Sequence, residues 1–138
     1  MNALCEAVKT YGPLAGRLLL ALIFVISGYN KLVGFDGTVG YIASKGLPLP
    51  QLVAAAAIAI ELIGGILLVI GWQTRWAATA IFLFLIPTTL IFHPFWAVMT
   101  GKQMETIQFM KNLSIMGGML YVMAFGAGPL SVDNRKRA

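Results

Sequence analysis

The stretch LVAAAAIAIELIGGILLVIG (52–71) contains nineteen apolar or glycine residues and one carboxylate, Glu61, near its centre. Twenty residues of helix rise about 30 Å, the thickness of a bilayer's hydrocarbon core. A transmembrane strand would be shorter and would alternate apolar with polar over about ten residues. The stretch therefore reads as a membrane-spanning helix, and the rest of the chain follows the same rule. Comparable apolar runs occupy approximately 14–33, 76–95 and 107–125, beside 52–70. The composition is 59% hydrophobic and 11% charged over 138 residues, with a mean hydropathy of +0.83. Soluble domains are only about 45–50% apolar. The expected fold class is all-α: a polytopic membrane protein with a four-transmembrane-helix bundle, formed by a single membrane-embedded domain over 1–138.

No small-x-small cleavage site follows the first run, so it is read as a span and not as a cleaved signal peptide. Cys5 is the only cysteine, which excludes intramolecular disulfides, CxxC pairs and thiolate metal clusters. Basic residues orient the bundle. Lys9, Arg75, Arg135, Lys136 and Arg137 fall on one side of four spans, and only Lys45 and Lys102 on the other. Positive residues mark the cytoplasmic face, so both termini are expected to be cytoplasmic. The net charge of +5 then serves topology at an anionic leaflet, and no nucleic acid partner is expected.

In the outer loop GFDGTVGYIASKGLPLP, Asp36 is placed to cap a short amphipathic helix over 38–45, with Gly46 just past its end. Trp72 and Trp76 mark the inner interface, and Tyr29, Tyr41 and Trp96 the outer one. The chain also looks internally duplicated. RLLLALIF from Arg17 matches RWAATAIF from Arg75, and LIGGILLVI matches IMGGMLYVM. Spans one and two would correspond to three and four, as a parallel duplication.

Glu61 is the residue that asks for a function. Ala54, Ala57, Gly64 and Gly65 share its side of the helix and admit a close neighbour, so Glu61 points at protein. A central acidic group costs about 2.5–3.5 kcal/mol on insertion scales, so it needs a partner or a proton. Asn30, Lys31, His93, Lys111 and Asn112 fall in the outer half of the spans, and Pro87 frees a backbone acceptor nearby. Together with Glu61 they form the candidate ligand-binding set, a polar cavity of net positive charge suited to a quinone headgroup or small organic acid. Lys31 lies about 10–12 Å nearer the outer surface than Glu61 by helical rise. A water- or hydroxyl-bridged contact is therefore expected, leaving Glu61 able to hold a proton and Glu61→Gln able to fold. Arg17 and Asp133 are assigned structural charge. Arg17 is expected to meet Asp133 or the phosphate layer and not Glu61.

One histidine and one cysteine build no ordinary haem, iron–sulfur or zinc site, so no metal is expected. No nucleotide or flavin motif is present. No cofactor is covalently implied and no catalytic residue is assigned; an electron carrier would be borrowed, a quinone or a redox partner subunit.

In order along the chain stand Arg17, FVISGYNKLVGF (24–35), KGLPLP (45–50), IELIGGILLVIG (60–71), FMKNL (109–113) and GAGPLSVD ending at Asp133. In these the chain resembles the DoxX family of small bacterial inner-membrane proteins, over nearly its whole length. The resemblance implies four helices and a link to oxidative metabolism, with Arg17, Gly28, Lys31, Glu61, Gly65, Lys111, Asn112 and Asp133 as pattern positions. It implies no catalytic mechanism. The leading expectation is an auxiliary subunit or quinone-binding component. A proton-linked small-solute permease, which four spans would favour only as a homodimer, and a structural scaffold are the alternatives.

Overall fold

The structure is a computed structural model and describes residues 2–136; of the basic residues counted above, Arg137 lies outside them. Among the described residues there are six helices: α1 (Asn2–Val33), α2 (Phe35–Ser44), α3 (Pro50–Ile70), α4 (Thr74–Phe92), α5 (Lys102–Phe125) and α6 (Val132–Lys136). Three of them, α1, α3 and α4, are long and apolar enough to cross a membrane. The fourth long helix, α5, has 24 residues. Lys102, Glu105 and Lys111 in its first half dilute its apolar character. Large apolar side chains face outward along the bundle, among them Leu19, Leu52, Ile63 and Leu83. Such a surface is costly in water and costs nothing against lipid.

In a bilayer, close van der Waals packing replaces the hydrophobic drive between helices. Adjacent glycines give α3 two such faces. A Cβ on Gly65 would lie 2.8 Å from Val25 of α1, and one on Gly64 would lie 3.1 Å from Ile81 of α4. The α1 side has its own close approach, since a Cβ on Gly28 would lie 3.2 Å from the Cβ of Glu61. Thus α3 sits between α1 and α4, while α5 packs on α4. Gly118 of α5 approaches Leu20 of α1. Ala21, Phe24, Leu68, Ala77, Ala78, Ile81, Leu85 and Met119 fill the shared core.

Several element boundaries differ from the sequence reading: α4 ends at Phe92 and not at 95, α5 begins at Lys102 and not at 107, and two further differences lie in α1 and α2. First, α1 begins at Asn2 and passes through Pro13. The proline removes one backbone donor, and the helix continues across it. Second, α2 begins at Phe35, and Asp36 makes no capping bond. A single residue, Gly34, separates α2 from α1: its N–H donates to the Asn30 carbonyl, and its own carbonyl accepts from Thr38 N–H. The junction leaves no loop from which Asp36 could cap. Past α2, Gly46 has φ +79.

The α3–α4 turn is held by charge at both ends. Arg17 is buried and donates to four carbonyls, those of Leu68 (2.9 Å), Val69 (3.0 Å), Ala127 (3.1 Å) and Leu130 (2.8 Å). Two of these carbonyls belong to the last turn of α3, which has no intrahelical partners for them. The Asp133 carboxylate accepts from the N–H groups of Gln73 and Thr74, each at 2.9 Å, and so caps α4. Arginine at a helix C-terminus and aspartate at a helix N-terminus each oppose the macrodipole they meet. Of the two partners expected for Arg17, Asp133 lies near enough to act on its charge, while backbone carbonyls of the turn and the tail take its hydrogen bonds. Gly71, with φ +74, leaves no room for a side chain: a Cβ there would run into Ser131 and lie 2.7 Å from Arg17 Nη1.

Candidate functional site

Glu61 is 4% exposed. Lys31 Nζ donates to both of its oxygens, at 2.7 Å to Oε1 and 2.8 Å to Oε2. The same ammonium lies 3.2 Å from Ser27 Oγ, which in turn donates to Glu61 Oε1 at 3.4 Å. The pair is direct, which corrects the expected bridged contact. Helical rise alone misjudged the gap. Side chains lean toward the N-terminus of their own helix. Since α1 and α3 run antiparallel, Lys31 and Glu61 lean toward each other. Gly28, one residue from Ser27, brings the two backbones close enough for them to meet.

Lys31 also borders a cavity of about 380 Å³ beneath α2. Its walls are mainly apolar, with Tyr41 and Ile42 from α2, Val53, Ala57 and Ile60 from α3, and Phe84, Pro87 and Phe92 from α4. Thr38, Thr88 and His93 supply the other polar groups. Tyr41 and Phe92 lie with ring centroids 5.4 Å apart, so α2 touches the C-terminal end of α4. His93 Nδ1 is 3.1 Å from Glu105 Oε2. A carboxylate only accepts, so the contact is made through a proton on Nδ1.

The remaining residues of the candidate set do not converge on this cavity. Asn112 is buried and donates to Thr89 Oγ1 at 3.1 Å, a bond between α5 and α4. Lys111 is exposed on α5, and Asn30 is exposed on α1. Ser27, Thr38 and Glu105 join the site without having been singled out by the sequence. The signal for Glu105 is its scarcity, one of five acidic residues in the chain, but it lies before the apolar run expected at 107–125. Among the described residues no three His, Cys, Asp or Glu side chains cluster as metal ligands. The arrangement can hold a flat apolar body and offer hydrogen bonds at its edges.

Residues 12–94 match the DoxX family, a span that includes Arg17, Lys31, Glu61 and His93. Inner membrane protein YphA of Escherichia coli (strain K12) is 41% identical over 124 residues, covering 88% of each chain. Inner membrane protein YqjF of the same organism is 32% identical over 128 residues, covering 93% of this chain and 94% of its own. Putative oxidoreductase CatD of Bacillus subtilis (strain 168) is 41% identical over 64 residues, 46% of each chain. No solved structure matches the chain.

Proposed function

The chain belongs to the DoxX family, and on that footing we propose that it is an inner-membrane component that binds a quinone-like ligand and serves membrane redox metabolism as an auxiliary subunit. The carrying observation is the cavity beneath α2, apolar on its walls with Lys31 and His93 among its few polar groups. A quinone head is a flat apolar ring with carbonyl acceptors at opposite edges, which this lining suits. The name of CatD, a putative oxidoreductase, supports the redox link, and the names of YphA and YqjF support the inner membrane. Electrons would pass to or from a partner subunit, with this chain holding and orienting the carrier.

The proposal takes α5 as a fourth span and the bundle as two helix pairs, α1 with α3 and α4 with α5. A parallel in the structure supports this duplication. Arg17 packs against Gly71, the C-cap of α3, and Arg75 packs against Gly126, the C-cap of α5, 3.1 Å from a Cβ built there. The test is saturable quinone binding by the full chain in lipid nanodiscs. Ala56 of α3 also lines the cavity, and Ala56→Phe, which narrows it, is expected to abolish binding while the protein stays folded. Unchanged binding in that variant, or no saturable binding by the natural chain, overturns the proposal.

One observation favours a second reading, a structural scaffold: Glu61 is already satisfied by a direct ion pair. Under that reading, replacing Lys31 and Glu61 together by apolar residues leaves the phenotype intact.

A further inference from the structure

Lys31 and Thr38 border a second space as well as the cavity beneath α2. It is an open groove of about 620 Å³ along the outward side of α1. Its inner part is walled by Leu19, Leu22 and Ile26, and its outer part by Ser27, Asn30, Lys31 and Thr38. From Leu19 to Asn30 the helix rises about 16 Å. The groove is thus apolar for most of its length and polar at one end, the pattern of a single amphiphile lying along the helix. The Lys31 side chain is 32% exposed, while its ammonium is held by Glu61 and Ser27, so Lys31 stands at the edge of the groove.

The cavity is poorly placed to open from above. One residue, Gly34, links α2 to α1, and Thr38 Oγ1 donates to the carbonyls of Gly34 (3.1 Å) and Lys31 (3.3 Å). These bonds tie the first turn of α2 to the end of α1. Tyr41 on Phe92 holds its other half against α4. The side facing α1 shares Lys31 and Thr38 with the groove.

We infer that the ligand is a long-tailed amphiphile that enters sideways from the bilayer past Lys31, its carbonyl-bearing head in the cavity beneath α2 and its hydrocarbon chain along the groove of α1. This inference rests on the quinone-binding reading and adds the tail, the route and the residues that guide it. Leu22 and Ile26 act through shape, as rails for the chain. Lys31 marks the passage between groove and cavity.

The test uses the full chain in nanodiscs with a quinone carrying a diazirine on its tail. After irradiation, mass spectrometry is expected to find adducts on Leu22, Ile23 or Ile26, suppressed about tenfold by excess unlabelled quinone. Adducts spread evenly over the outward faces of α1, α3 and α4, or adducts that excess quinone does not suppress, overturn the inference. So does a diazirine phospholipid that labels the groove and resists displacement by quinone, which would make it a lipid site. A quinone with the diazirine on its ring separates the two claims. Competed ring adducts in the cavity, with tail adducts elsewhere, leave the binding proposal standing and sink only the sideways route. Absence of any competed adduct sinks both.

Discussion

Glu61 and Lys31 can be removed together at far less cost than either alone. Stripping one partner from a buried pair leaves an uncompensated charge and costs about 3–5 kcal/mol, whereas an apolar pair of similar volume is often tolerated. Glu61→Gln is therefore expected to lower stability by about that amount, toward the lower end because Lys31 is partly exposed. Lys31→Met combined with Glu61→Leu should recover most of the loss. A double-mutant cycle of unfolding in mixed micelles checks this, and additive single effects would refute a coupled pair. His93 and Glu105 form a more exposed pair, with side chains 25% and 28% exposed. Glu105→Gln should change stability by less than about 1 kcal/mol. If His93 serves the ligand, the same change should weaken quinone binding. Unaltered affinity would confine Glu105 to the surface.

Between elements, the glycines divide into those that are needed for approach and those that are not. A Cβ on Gly28 would lie 2.8 Å from Leu62 Cγ and 3.1 Å from the Leu62 backbone nitrogen, so backbone must move to admit it. Gly28→Ala should push α1 from α3, lengthen the Lys31–Glu61 contact and cost about 1–3 kcal/mol. Gly117 on α5 meets nothing within 4 Å. Gly117→Ala should be neutral or stabilising by up to about 1 kcal/mol, as alanine is the better helix former. Equal thermal shifts for the two variants would contradict this contrast. At the α3–α4 turn, Asp133→Ala removes the carboxylate that accepts from the N–H groups of Gln73 and Thr74 at the start of α4. A loss of about 0.5–2 kcal/mol is expected from thermal unfolding.

At the scale of the molecule, α1 has 32 residues and rises about 48 Å, well beyond a hydrocarbon core of about 30 Å. Its first turns must stand outside that core. If the basic residues set the orientation, those turns are cytoplasmic and α2 lies on the opposite face. Cys5 is exposed and offers the probe. An impermeant thiol reagent applied outside intact cells should leave Cys5 unlabelled, and should label a chain carrying Cys5→Ser and Ser44→Cys. The reverse pattern would invert the topology. It would also put the cavity beneath α2 on the cytoplasmic side.

The sequence by itself determined the class of fold, because twenty-residue apolar runs have one inexpensive conformation in lipid. It also marked Glu61, because a lone carboxylate in such a run must be answered by something. What answers it was decided by tertiary structure. Lys31 reaches Glu61 because antiparallel helices lean their side chains together and Gly28 lets the backbones close, and neither fact follows from spacing along one helix. Arg17 is the same case. Its position one turn from a span's end fits a phosphate contact, but the α3 C-terminus and the tail before α6 bring four carbonyls to it from residues at least fifty positions away. Lys111 and Asn30 show the opposite limit. Depth in the membrane is legible from sequence, but the rotation of a helix about its own axis depends on which neighbours it packs against. That rotation turned Asn112 inward to Thr89 and left Lys111 outside.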